Sequence, residues 1–513
     1  MNLLKSLFSL SFMTLISRIL GFLRDLTIAH SFGVSIYTDA FFVAFKIPNL
    51  LRRLFFEGAF SQSFIPILIR YKSTKEIKYL KNFISSLLGL IIVFLIIITI
   101  LGIIFSHYLI KFSAPGFIQS PQKFQVSCTL LKIMFPYILL VSLSSLSSCI
   151  LNSWGYFSIP AFASSILNIT IVIFSFFLND FLKPPILILA WSVIIGGIFQ
   201  FLYQLPYLSK INMLVIPKLN FKNIGFLKFL KKIWPSLIGS CANQISLIFN
   251  TIFNSLLSVG SISWMYYADR LIEFPIGILG VSLSTVLFPS LSKSYSKNKL
   301  IEYKQLIQWG LKIGLILSFP SAIILFILSK PLVIILFQYG KFTNFDVLMT
   351  QKALELYALG LVAVILVKIL STAFYASQEV KIPTRISLFT LLITQILNPC
   401  LIFYFQHAGL ALSFSISAWV NFFLLYWKLY QKKLIYFKLN ELIFILRLLI
   451  AIFSMTFVLI FMLYFIPLYD ISSLFNKIAR LFIILFVTGI IYLTSLYFLG
   501  ISFLNNFNNI KKK

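Results

Sequence analysis

Carboxylates are scarce in this chain: 13 Asp and Glu stand against 43 Lys and Arg over 513 residues, a formal net charge of +30. Histidine and cysteine are scarcer still, at 3 and 4. The cysteines (Cys128, Cys149, Cys241 and Cys400) are scattered without a CxxC pair and read as small buried hydrophobes. So few imidazoles and thiols leave a transition-metal site without ligands. No GxxxxGK[ST] loop is present to cradle a nucleotide phosphate. Nor do Ser, His and an acid stand at a spacing that suggests a catalytic triad. These absences exclude P-loop ATP hydrolysis and leave no material for a metalloenzyme or a hydrolase. No cofactor is expected, and the chain reads as something other than an enzyme.

What the chain has in excess is apolar length. It is 60% hydrophobic and 11% charged, where a soluble domain is about half apolar and a quarter charged. The fold class expected is therefore an all-α polytopic membrane protein. In a soluble protein so basic a charge would suggest nucleic acid. Here the cations gather in short loops between apolar runs, so topology explains them and no nucleic-acid partner is expected. The first 25 residues superficially resemble a signal peptide, but Arg18, Arg24 and Asp25 interrupt the run and no small-residue cleavage site follows. A retained first helix is the expectation.

Apolar runs of about 20 residues or more, separated by Pro, Gly, Asn and Lys, predict fourteen spans. They are numbered in chain order as 6–28, 36–69, 80–110, 125–150, 159–178, 185–206, 224–257, 262–291, 305–337, 347–378, 381–405, 408–430, 440–466 and 475–503. Lys and Arg collect in alternate loops, at 70–81, 210–232, 293–304, 428–438 and 511–513, while the opposite loops hold little beyond Lys111, Lys123, Lys183 and Lys341. The positive-inside rule then places both termini in the cytoplasm, as an even number of spans requires. Gly58–Pro66 at the end of span 2 is echoed by Val281–Pro289 in span 8, an offset of 223 residues. Residues 1–222 and 223–430 thus read as parallel six-helix lobes, an architecture common in transporters, and 431–513 as an additional helix pair.

Eleven charged residues fall inside spans 1, 2 and 8: Arg18, Arg24, Asp25, Asp39, Lys46, Arg52, Arg53, Glu57, Asp269, Arg270 and Glu273. Facing lipid, at about 2.5–3.5 kcal/mol each, they would cost roughly 30 kcal/mol, so a polar interior cavity is expected to hold them. Asp39, Lys46, Arg53 and Glu57 fall within about 40° of one another on a helix. Ser17 with Arg24 and Arg18 with Asp25 form two rows on span 1, and on span 8 Ser263 precedes Arg270 by seven while Asp269 and Glu273 stack at i and i+4. Guanidiniums dominate, and their fork suits phosphate or diphosphate oxygens. Arg18, Arg24, Arg52 and Arg270 are therefore the candidate substrate ligands, with Lys46, Arg53, Ser17 and Ser263 beside them. Asp25, Asp39, Glu57, Asp269 and Glu273 are candidate gate or ion-pair partners. The competing reading is that the charges pair among themselves and only hold helices together. Lys368, deep in span 10, is an isolated further candidate; His30 and His407 read as ordinary interfacial residues near span ends.

Five blocks, Met13–Asp25, Thr38–Arg53, Glu57–Gln62, Ser263–Pro275 and Phe337–Thr343, resemble the MurJ (MviN) lipid II flippases, and the likeness runs nearly end to end. It implies the MOP-superfamily fold of two six-helix lobes, with spans 13 and 14 forming a groove for a lipid tail. It also implies carriage of undecaprenyl-diphosphate-linked disaccharide pentapeptide across the bacterial cytoplasmic membrane for peptidoglycan synthesis, with membrane lipids and wall-synthesis proteins as partners. Arg18, Arg24, Arg52 and Arg270 would meet the diphosphate and sugars. Some relatives use acids on spans 7 and 11 to hold sodium, and this chain has no Asp or Glu on either. Membrane potential or a monovalent cation is the expected energy source. A flippase for another polyprenyl-diphosphate glycan shares the charge logic, whereas a cation-coupled multidrug antiporter of the same fold would find an arginine-rich cavity of the wrong sign. Topology is directly testable: reporter fusions after Lys75 and Lys299 should read cytoplasmic and fusions near Lys123 and Lys341 periplasmic, and an odd number of crossings between the termini would contradict the assignment.

Overall fold

The computed structural model describes residues 3–53, 64–65, 68–69, 77–178, 181–219, 244, 246–435, 439–466 and 474–501. Every regular element among them is helical. Eleven helices are long and apolar enough to cross a membrane, and they coincide with spans 3–6 and 8–14. The protein is an all-α, multi-pass membrane protein. Span 1 is a helix over Leu3–Phe32, and span 2 is helical over Ile36–Arg52. Most of span 7 lies outside the described residues, as do Glu57, Gly58–Ser63, Lys438 and the loop cations at 70–75, 222–232 and 511–513.

The helix ends follow from local chemistry. Gly33, with φ of 60°, ends span 1. Ser35 and Thr38 then open span 2 with reciprocal bonds: the Ser35 side chain accepts from Thr38 N–H, and the Thr38 hydroxyl accepts from Ser35 N–H. Such a capping box satisfies two otherwise orphaned donors. Pro136 lies where span 4 divides into Pro121–Met134 and Tyr137–Ser153, as a residue without an N–H would dictate.

The chain forms two compact units, Met1–Ser263 with Tyr339–Thr343, and Trp264–Gln338 with Asn344–Lys513. The sequence repeat divides at 222/223; the compact units divide later because residues 255–263 bond to the first unit. Gly116 N–H donates to Ser255 Oγ at 3.2 Å, and Gly260 and Ser263 bond to Asp39. Within unit 1, span 1 packs on span 5, span 5 on span 6, and span 2 on both halves of span 4.

Unit 2 is organised around span 10 (Asn344–Ala376), which packs against spans 8, 9 and 12. Close approach is fixed by side chains that hydrogen-bond a neighbour's backbone, as membrane helices require where no water is present. Ser415 Oγ donates to Leu356 O at 2.6 Å, Trp419 Nε1 to Leu359 O at 2.9 Å, and Tyr303 Oη to Ala373 O at 2.6 Å. Spans 13 and 14 pack on each other and dock on span 9. Tyr492 Oη donates to Ile316 O at 2.7 Å, and Lys312 pairs with Glu441 at 3.1 Å. The opposite faces of these two helices expose Phe453, Phe457, Phe482 and Phe498, a surface that lipid rather than water would cover.

A methyl on Gly360 of span 10 would lie 2.7 Å from Ser415 Cα, whereas one on Gly489 of span 14 has nothing within 4 Å. Gly360→Ala should therefore lower the unfolding midpoint in detergent, since overpacking costs about 1–3 kcal/mol. Gly489→Ala should be neutral or stabilising by up to about 1 kcal/mol. Equal midpoints for the two variants would contradict this packing.

Candidate functional site

Span 1 presents its polar residues to span 5. Arg24 is buried, donating from Nε and Nη2 to Asp25 Oδ1 at 3.0 and 2.7 Å and from Nη1 to Asn168 Oδ1 at 3.1 Å. Neighbouring residues on a helix point apart; the long guanidinium stem is what allows Arg24 to reach back and join the two rows read from the sequence. Asn168 in turn donates from Nδ2 to Ser17 O at 3.5 Å, and the Ser17 and Ser164 hydroxyls are 3.0 Å apart. Arg18 is different: it is exposed and has no ion pair or hydrogen bond among the described residues.

Asp39 is completely buried and accepts from four donors. Lys123 Nζ and Gly260 N–H reach Oδ2, both at 2.8 Å, while Ser263 N–H and Oγ reach Oδ1 at 3.0 and 2.6 Å. Lys123 also lies 4.2 Å over the Phe117 ring. The carboxylate sits at the start of the helix that begins at Ser261, where the macrodipole and unpaired N–H groups favour an anion. The expected same-face partner Lys46 lies seven residues away, about 10 Å along the axis, and the cation that reaches Asp39 is Lys123 from span 4. Ser263, a candidate substrate ligand, is here wholly buried with its hydroxyl on Asp39.

Arg52 is half-buried and donates from Nε to Asn49 Oδ1 at 2.9 Å. Arg53 is exposed, without an ion pair or hydrogen bond among the described residues, and its expected neighbour Glu57 lies outside them. Lys46 is half-buried on the same helix. In unit 2, Arg270 Nη1 pairs with Glu273 Oε2 at 2.8 Å on an open face, and Asp269 takes a hydrogen bond from Tyr357.

Three features of the structure go beyond the sequence expectations. Lys123 belongs by sequence with the loop cations, and nothing local names its partner. Asn168 had a visible signal, a lone amide in an apolar run, which in a membrane asks for a partner on another helix. His407 is not the interfacial residue expected. It is buried, with Nε2 2.9 Å from Met349 O and its ring 5.1 Å from Trp264, whose Nε1 donates to Asp346 Oδ1 at 2.9 Å.

Apolar helices long enough to cross a membrane, carrying a buried Arg24–Asp25 pair, a buried Asp39 and further arginines left open, give the chain the character of a polytopic membrane transport protein. The family model described as lipid II flippase MurJ matches residues 28–480. A probable lipid II flippase MurJ of Buchnera aphidicola subsp. Schizaphis graminum is 67% identical over 513 residues, all of both chains. The lipid II flippase MurJ of Burkholderia cenocepacia is 42% identical over 430 residues, 83% of each. A solved lipid II flippase MurJ in an inward closed conformation aligns with a TM-score of 0.80 at 29% identity, over 95% of this chain and 98% of that one. A multidrug-resistance MATE transporter of the MOP superfamily aligns with a TM-score of 0.66 at 13% identity, over 81% and 95%, and so shares the fold. The chain belongs to the lipid II flippase MurJ family.

Breaking a buried ion pair by removing one partner costs about 3–5 kcal/mol, because the survivor stays charged and desolvated. Lys123→Met should therefore destabilise the protein strongly, and Asp39→Asn combined with Lys123→Met should recover most of that loss. A double-mutant cycle on unfolding midpoints measures the coupling, and simple additivity of the two single losses would show none.

Proposed function

We propose that this protein flips lipid II, the undecaprenyl-diphosphate-linked disaccharide pentapeptide, from the inner to the outer leaflet of the bacterial cytoplasmic membrane by alternating access. The observation that carries the reading is Arg18, an exposed guanidinium on the helix of expected span 1 with no carboxylate partner among the described residues, set beside the Arg24–Asp25–Asn168 seam. An unpaired charge within a membrane span is costly unless it serves a ligand, and a guanidinium fork matches a diphosphate. Family membership supplies the substrate class.

In this reading Arg18, Arg24, Arg52 and Arg270 clamp the diphosphate and sugars, with Lys46 and Arg53 adding positive charge. Arg24, held by Asp25 and Asn168, turns to the substrate as the unit rearranges. Residues 1–222 and 223–430 act as the two lobes, and spans 13 and 14 hold the lipid tail on their exposed aromatic faces. Asp39 with Lys123 and Ser263, and Glu273 with Arg270, are gate contacts, each stabilising one conformational state. Both termini lie in the cytoplasm. Membrane potential, worth about 2.3 kcal/mol per charge per 100 mV, or a monovalent cation biases reorientation, and wall-synthesis proteins receive the product.

Depletion followed by a leaflet-resolved assay should show lipid II accumulating in the inner leaflet while its synthesis continues. Accumulation of a different polyprenyl-diphosphate glycan would overturn the substrate. Arg18→Lys and Arg270→Lys keep the charge but lose the fork, and each should slow flipping about tenfold or more at normal expression. Normal flipping by both would overturn the clamp.

A further inference from the structure

Lys368 lies in span 10, eight residues before the helix ends at Ala376, about 12 Å of axial rise. It is half-buried and has neither an ion pair nor a side-chain hydrogen bond among the described residues. Two other cations on unit 2's helices are paired: Arg270 has Glu273 and Lys312 has Glu441. An ammonium inside a membrane protein without a counter-charge marks a site by default.

Its surroundings are built for it. Directly after Pro275, span 8 widens into a six-residue π-helix, Ile276–Val281, and span 10 packs against that segment. A methyl on buried Gly280 would lie 2.8 Å from Lys368 Cδ, so the missing side chain is what lets the lysine stem lie across span 8. Single π turns inside α-helices recur at functional sites. Tyr357, which bonds Asp269, precedes Lys368 by eleven residues, three turns along the same face of span 10. Lys368 therefore extends the seam between spans 8 and 10, where Tyr357 bonds Asp269, by about 16 Å. It is a cation on that seam that no carboxylate among the described residues neutralises.

We propose that Lys368 is an anion-binding residue of the second unit, its ammonium taking a phosphate oxygen of the transported lipid's diphosphate, with Gly280 in the π segment giving the stem its place. This rests on the flipping reading above. A lysine acts there as a point charge on phosphate rather than as a geometric clamp, so charge and reach should matter more than shape.

Purified full-length protein in phosphatidylcholine nanodiscs tests this by lipid II binding, with phosphatidylglycerol doped into the same discs as a competing phosphate source. Lys368→Gln should raise the Kd for lipid II about tenfold, the loss of one charge-assisted hydrogen bond. Lys368→Arg should stay within about threefold. Gly280→Ala, which keeps the charge but displaces the stem, should weaken binding as Lys368→Gln does, and together with Lys368→Arg it decides the matter if Lys368→Gln elutes as misfolded material. Wild-type affinity in both Lys368→Gln and Gly280→Ala overturns the inference. So does a loss confined to phosphatidylglycerol competition, which would assign the lysine to bulk membrane lipid. Failure of the wild-type protein to bind lipid II overturns the flipping reading instead.

Discussion

The bilayer does not solvate a charge or a backbone amide, and the rest of this structure is arranged around that refusal. Among the described residues, each buried charge has been given company that water would otherwise supply. Asp39 is surrounded by four donors from two separate stretches of chain, Lys123 and the segment 260–263. Asp25 is fully buried against the Arg24 guanidinium, and that guanidinium also reaches an amide on span 5. Such pairs are weak evidence for stability, because desolvation offsets much of the Coulombic gain. Their value lies in specificity: a charge buried in the wrong register is far worse than one buried in the right one.

The same constraint sorts the arginines. Arg24 and Arg270 sit beside carboxylates, while Arg18 and Arg53 are exposed without ion pairs or hydrogen bonds among the described residues. The residual positive charge is what a diphosphate would neutralise, and the proposed transport needs it to be strong enough to capture yet weak enough to release. Lys368 belongs to this second group by the same reasoning, although it reaches its place through a defect in span 8 rather than through a regular helical face.

Spans 13 and 14 show the constraint acting on apolar material. Nothing hydrophobic drives two helices together inside lipid, so their attachment to span 9 uses directed contacts. Tyr492 reaches a span 9 carbonyl, and Lys312 meets Glu441. Between these anchors Ile313, Ile316, Leu448, Met455 and Leu496 interlock. The faces left over are phenylalanine-rich and open.

Reading the chain alone was enough for the fold class, because a run of about 20 apolar residues has few other fates and span boundaries follow from Pro, Gly and charge. It was also enough to nominate the charged residues, since their cost in a membrane is intrinsic to the side chain. Helical spacing stacked Glu273 with Asp269, and the structure adds a local ion pair of Glu273 with Arg270 one turn away. Spacing could not place Lys123 against Asp39, or Asn168 against Arg24, because those partners are 84 and 144 residues apart and no periodicity encodes a contact between helices. Nor could it distinguish His407 in a sealed cluster from a histidine at an interface, or see that Gly280 makes room for Lys368. Those outcomes were decided by how helices pack, where burial and geometry, not residue type, determine which donor meets which acceptor.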